Sequence, residues 1–423
     1  EGVPAVDWQQ PQNRSALRHS APTHQRQNVK DVGTQPKKKP MTKADQQHVG
    51  PALSVAGRQP RLDRVHAAKR TDPDADAPAD GPTHDLPKPP ESTKAEFVHP
   101  YETTASVGTR PRPRTTPSPS GVPTTKDVLS GVDLTGRRAL VTGASSGLGE
   151  EIARALTSAG AEVTLAVRNT GGGEAAADRI AHATGRARPT VIELDLMSPA
   201  SITAAAAAWS GPLHILVANA GIMVPPEART ADGWESQLMT NYLGHYALIT
   251  RLLPALVAAE DARVVLASSN AHLLGPVVID ALVEQSKPYE PWSAYAVSKT
   301  ALILFAVEAN RRWAPAGVIV SAYNPGYIRT GLQKNLPADM QVSTAGIKTL
   351  AEGAATPVFL AAAPAGAAAG GKYFEDVAEA AIAVDEERDM NRPETFRGVA
   401  TFALDEDTAK DLWAFSETVT RHW

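Results

Sequence analysis

The chain has 423 residues, a formal net charge of −4, 34 prolines and no cysteine, which excludes a disulfide framework, a thiolate nucleophile and a Cys-based zinc site. Its first 126 residues hold 19 of the prolines but only 15 Leu, Ile, Val and Phe, too little apolar surface to offset the chain entropy of folding. That stretch is expected to be a disordered Pro-rich region, with one folded domain over residues 127–423.

Charge divides in the same place. Lys and Arg outnumber Asp and Glu by 19 to 13 in the tail, which leaves 23 against 33 in the remainder. Lys37-Lys38-Lys39 lies between Pro36 and Pro40 with no aromatic residue interleaved, so it reads as a solvated linker and no nucleic-acid partner is expected. Glu1 is followed by neither a charged n-region nor an apolar h-region. The most apolar stretch, 246–259, is broken by Arg251 and Pro254, so no membrane span is expected and the protein is placed in the cytoplasm.

From residue 131 onward apolar runs alternate with helical patterns, which predicts an α/β fold with a doubly wound parallel sheet of about seven strands. The first strand covers 138–142. It leads through Thr142-Gly143-Ala144-Ser145-Ser146-Gly147-Leu148-Gly149 into a helix over 148–159. Glycines at a strand-to-helix turn let the backbone approach a pyrophosphate, while free N–H groups and the helix dipole attract its charge. Strands follow over 162–167, 190–194, 213–218, 262–267, 317–322 and 371–374. Helices are predicted over 174–183, 198–208, 293–313 and 405–419, with a long helical stretch around Asn241. Gly171-Gly172-Gly173 is expected to be a loop tip, and the last helix, carrying Leu412 and Trp413, to serve packing.

In such a sheet a ligand lies beyond the carboxyl ends of the strands. The second strand ends in Arg168-Asn169, where a cation suits a 2′-phosphate better than the acid that would bind ribose hydroxyls. Asp195-Leu196, Asn219-Ala220-Gly221 and Asn324-Pro325-Gly326 end the third, fourth and sixth strands, and Ser268-Ser269 the fifth. Tyr295 and Lys299 stand four apart, so a helix stacks them on one face. An ammonium roughly 4 Å from the phenol would favour phenolate by about 4 kcal/mol at an effective dielectric near 20, moving the tyrosine towards neutrality. Ser269 is read as a hydrogen-bond donor to a substrate oxygen, with His272 leaving open a nucleophilic serine.

With these motifs in order, the region from about 131 to 423 resembles the short-chain dehydrogenase/reductase family. Its branch looks most like the retinol dehydrogenase, WW-domain oxidoreductase and protochlorophyllide reductase members. The resemblance implies a Rossmann-like, nucleotide-binding oxidoreductase with no metal, acting on a carbonyl or secondary alcohol of a small, largely apolar molecule. It implies Asn241, Ser269, Tyr295 and Lys299 as catalytic residues, with Asn241 anchoring a water to Lys299 and Lys299 also holding the ribose. Thr142, Gly143, Gly147, Leu148 and Gly149 would cradle the cofactor, Asp195 and Leu196 meet the adenine, and Asn219, Ala220 and Gly221 line the adenosine side. Pro325, Gly326, Ile328 and Thr330 would hold the carboxamide. Arg168, with Asn169, favours NADP(H) over NAD(H), although Ser145 and Ser146 occupy positions that often carry a cation in NADP-using members. A homodimer or homotetramer is the family habit. The alternatives are a non-catalytic nucleotide sensor and a scaffold acting through the tail.

Overall fold

In the computed structural model each of these apolar runs becomes a strand of one sheet, and the residues described are 121–283, 288–336, 347–384 and 395–423. They belong to one compact unit. The Pro-rich stretch up to residue 120 lies outside the described residues. The described chain enters through α1 (Thr125–Val128), where the Thr124 hydroxyl and N–H both donate to the Asp127 carboxylate, at 2.7 and 2.8 Å. Thr125 is buried and its hydroxyl donates to Glu151 at 3.0 Å. The expected boundary between 126 and 127 therefore falls inside a helix tied to the domain.

The elements then run β1 (Arg138–Thr142), α2 (Gly147–Ser158), β2 (Glu162–Val167), α3 (Thr170–Thr184), β3 (Thr190–Glu193), α4 (Pro199–Ala207) and β4 (Ile215–Ala218). A π-helical turn, Leu238–Leu243, runs into α5 (Gly244–Val257), followed by β5 (Ala262–Ala267), α6 (Ile279–Val283), α7 (Pro291–Trp313) and β6 (Val318–Asn324). The chain closes with α8 (Leu350–Gly353), α9 (Ala355–Ala362), β7 (Tyr373–Glu375), β8 (Ala378–Glu379) and α10 (Glu406–Thr420). The strand order is β3-β2-β1-β4-β5-β6-β7-β8. Every pair is parallel except β7 with β8. The order reverses between β1 and β4, and that reversal opens a crevice at the carboxyl ends of the strands.

Alternate residues of the central strands feed two cores. Leu140, Leu216, Val264 and Val320 pack with Tyr246 and Phe305 on one face; Val141, Val217, Val265 and Tyr323 pack with Ile152, Ile180 and Val358 on the other. Full burial of each such side chain contributes about 1.5–3 kcal/mol, which fixes the strand ends that carry the site. α10 seals the first face. The Trp413 ring lies 5.3 Å from Tyr246 and 5.4 Å from Trp313, and the Arg312 guanidinium sits 4.4 Å above it.

Three local expectations are corrected. Gly171-Gly172-Gly173 is the first turn of α3 and not a loop tip, because the Asn169 side chain accepts the Gly172 N–H at 3.2 Å and caps the helix. The fourth strand begins at Ile215, since the Leu213 N–H donates to the Ala255 carbonyl and leaves the ladder. The sheet has an eighth strand: Asp376 and Val377, with φ of 51° and 63°, form the tight turn that folds β8 back on β7 with Glu375 opposite Ala378. Positive φ at both turn positions is the hairpin geometry that Asn-Gly normally signals, so Asp-Val hid it.

Candidate functional site

A cavity of about 740 Å³ opens at the carboxyl ends of the strands, and it is lined by the glycine turn, by Arg168 and Asn169 after β2, by Asp195 and Leu196 after β3, and by Asn219–Gly221 after β4. Ser269, Tyr295 and Lys299 line its other half, with Pro325, Gly326, Ile328 and Thr330. The volume suits a small-molecule or cofactor site. Of the site residues expected from the sequence, only Thr142 and Asn241 are not on the cavity wall.

Thr142 works from behind. Its hydroxyl oxygen accepts the Asn219 and Ala220 N–H groups at 3.0 and 2.9 Å and lies 2.9 Å from His245 Nε2. With both lone pairs taken, its one hydrogen goes to Nε2. His245 Nδ1, 2.9 Å from the Asn241 carbonyl, is then the donor there. Burial holds this imidazole down at about 4, so it is neutral. No motif in the sequence assigns His245 a task. Its spacing of four from Asn241 was the available signal, because on a helix that spacing makes the two residues neighbours.

The glycine turn is tight at its core. A Cβ at Gly149 would stand 2.5 Å from the Gly143 carbonyl oxygen and 2.6 Å from Asn219 Nδ2, so only glycine lets α2 start this close to β4. Ser146 precedes α2 without a side-chain cap. The first-turn N–H groups that a cap would satisfy are therefore left to solvent or ligand. Arg168 is exposed and forms no ion pair among the described residues. Asp195 accepts the Met197 N–H at 2.9 Å; Asn169, as α3's cap, has a structural task.

Asn241 sits in the π-helical turn, fully buried. Its side chain accepts the Ile222 N–H at 2.9 Å and donates to the Ile222 carbonyl and Ser298 hydroxyl, each at 3.0 Å. These bonds hold the segment after β4 against α7 one residue before Lys299. These contacts of the Asn241 amide are thus all to protein groups.

Ser268 and Ser269 divide their roles. The buried Ser268 hydroxyl donates to the Lys299 carbonyl at 2.8 Å, joining β5 to α7. The Ser269 hydroxyl accepts the Ala271 N–H at 3.1 Å and donates to Asn270 Oδ1 at 3.4 Å, and it is the polar group that acts to lower the Tyr295 phenol. His272 cannot serve it as base. Its Nδ1 is 2.7 Å from the Ser269 carbonyl, and its Nε2 accepts the Ala400 N–H at 3.2 Å. A ring committed to backbone on both sides leaves no acceptor for the Ser269 hydroxyl, which removes the nucleophilic reading.

Tyr295 is buried and its phenol is pushed up to about 12, because burial disfavours phenolate more than the Ser269 hydrogen bond favours it, with Tyr327 adding to the rise. The expected shift towards neutrality does not occur in this state. Lys299 explains why: its Nζ lies 5.5 Å from the centre of the Tyr295 ring, over the face, and donates to the Ala267 carbonyl at 2.7 Å. Burial also brings Lys299 down to about 7, which thins the positive charge available to the phenol. Around Tyr295 the wall is apolar, with Met223, Val224 and Ala271 buried beside it and Trp292 and Leu332 packed against them.

A family model described as short chain dehydrogenase matches residues 137–341. The chain is 47% identical over 304 residues to a probable oxidoreductase of Streptomyces antibioticus, covering 69% of this chain and 99% of that protein. It is 39% identical over 251 residues to human retinol dehydrogenase 12, covering 58% and 79%. Among solved structures, an uncharacterised protein from Mycobacterium paratuberculosis superposes with a TM-score of 0.56 at 33% identity, covering 71% of this chain and 98% of that one.

Proposed function

Because the chain belongs to the short-chain dehydrogenase family of oxidoreductases, we propose that it moves a hydride between NADP(H) and a carbonyl or secondary alcohol of a small, largely apolar substrate. The observation that carries this reading is the meeting of Ser269, Tyr295 and Lys299 on one cavity wall, with Arg168, which forms no ion pair among the described residues, lining the same cavity. The residues fit a dinucleotide: the uncapped first turn of α2 lines the crevice and would hold a pyrophosphate, and Arg168 would hold a 2′-phosphate. When bound, the nicotinamide supplies or accepts the hydride.

The chain's own groups do the rest. Ser269 donates a hydrogen bond to the substrate oxygen and so places it beside the Tyr295 phenol. In reduction Tyr295 gives that oxygen its proton as the carbonyl becomes an alcohol; in oxidation it takes the proton back. A phenol held near 12 is protonated at neutral pH but is a weak acid, so giving up its proton requires the phenolate to be stabilised. Lys299, the only cation buried beside the ring among the described residues, lowers the cost of phenolate once its ammonium form is favoured. Asn241 and His245 act as positioning residues, fixing Ile222 and the glycine turn against α7.

Purified protein incubated with NADPH and a panel of apolar aldehydes, ketones and quinones tests the proposal. Consumption of NADPH with stoichiometric alcohol is the expected outcome. Absence of turnover in either direction, despite bound NADPH, would favour the sensor.

A further inference from the structure

We infer that Lys348 and Asp376 are positioning residues that hold the turn after β6 in the shape needed by the nicotinamide end of the cofactor; the inference rests on the dinucleotide reading of the cavity. Neither residue belongs to a motif read from the sequence. The Lys348 N–H donates to the Tyr327 carbonyl at 2.7 Å. Its stem crosses Gly326, whose φ is +80° and where a Cβ would lie 2.7 Å from Nζ and 2.8 Å from Cε. Nζ then donates to the Pro325 carbonyl at 3.3 Å and pairs with Asp376. Main chain and side chain together, the latter 11% exposed, Lys348 thus grips three consecutive residues of the cavity wall.

Asp376 offers that ammonium a fixed partner. It opens the two-residue turn between β7 and β8, and the next residue's N–H donates to Thr356 Oγ1 at 3.0 Å. Its second carboxylate oxygen lies 3.6 Å from the Arg397 guanidinium, and the neighbouring Phe396 lines the cavity from the opposite segment. Two parts of the wall therefore meet on one carboxylate. A pair kept only for stability needs neither the crossing over Gly326 nor the bond to Pro325.

The test uses the full chain and two variants. Lys348→Met keeps the stem and removes the ammonium; Asp376→Asn removes the charge at a left-handed position that asparagine tolerates. Each is titrated with NADPH and with adenosine 2′,5′-bisphosphate, which carries the 2′-phosphate but no nicotinamide. We expect each variant to raise the Kd for NADPH roughly tenfold, to leave that for the bisphosphate within about twofold, and the double variant to be no worse than either single one. Equal weakening of both ligands, or of neither, overturns the inference. Failure of the unmodified protein to bind either ligand overturns the dinucleotide reading itself, and the inference with it.

Discussion

His245 is fully buried between Thr142 and the Asn241 carbonyl, and its charge state is linked to stability. Its native value of about 4 lies below the ordinary 6.5, so the unfolded chain binds the proton first. The stability it contributes is complete above pH 6.5 and is lost as pH falls from there to about 4, a total on the order of 3 kcal/mol. Comparing urea unfolding of the wild type and His245→Gln across that window, the wild type should lose more stability; parallel slopes would show that the ring is not held neutral. On the cavity wall, Arg168→Ala would remove the charge-assisted contact proposed for the 2′-phosphate of NADPH. Its KM for NADPH should rise about tenfold or more while that for NADH barely moves, and equal changes would remove the basis for NADP(H) selection.

The strands were legible because burial on both faces demands continuous apolar runs, and β2 and β5 have the limits their sequences predict. Elements whose cause lies elsewhere in the chain were not. α1 depends on a Thr124–Asp127 contact and on Glu151. The π-helical turn that seats Asn241 leaves no mark on the period of apolar residues. The candidate site was legible as residue types at strand ends, but the charge balance of Tyr295 and Lys299 was not, since spacing says nothing of which atom the ammonium faces. The β7–β8 turn places the β-branched Val377 at φ 63°, a strained position for such a residue. Val377→Gly should relieve that strain and stabilise the protein by about 1 kcal/mol, because the main-chain bond to Thr356 remains. A melting temperature raised by a few degrees is the expected result; a lowered one would show that packing of the valine side chain outweighs the strain.

For the whole molecule, the helices on both faces and the closure by α10 define a domain to which α1 is tied, and we propose that the Pro-rich tail, whose composition cannot build a core, adds nothing to its folding. A chain starting at Gly121 should melt within about a degree of the full one, whereas one starting at Leu129 loses the Thr125–Glu151 contact and should melt several degrees lower. Differential scanning calorimetry of the three lengths decides between this arrangement and a tail that packs on the domain. Among the described residues no helix is long and apolar enough to cross a membrane.

The central claim is that Tyr295 exchanges the proton at the substrate oxygen. Steady-state turnover of Tyr295→Phe with an accepted carbonyl, measured beside its NADPH affinity by fluorescence, tests it most directly, because the substitution keeps the ring under Lys299 and removes the hydroxyl alone. Turnover reduced by about a hundredfold or more with unchanged NADPH affinity is the predicted result; near-normal turnover would contradict the account.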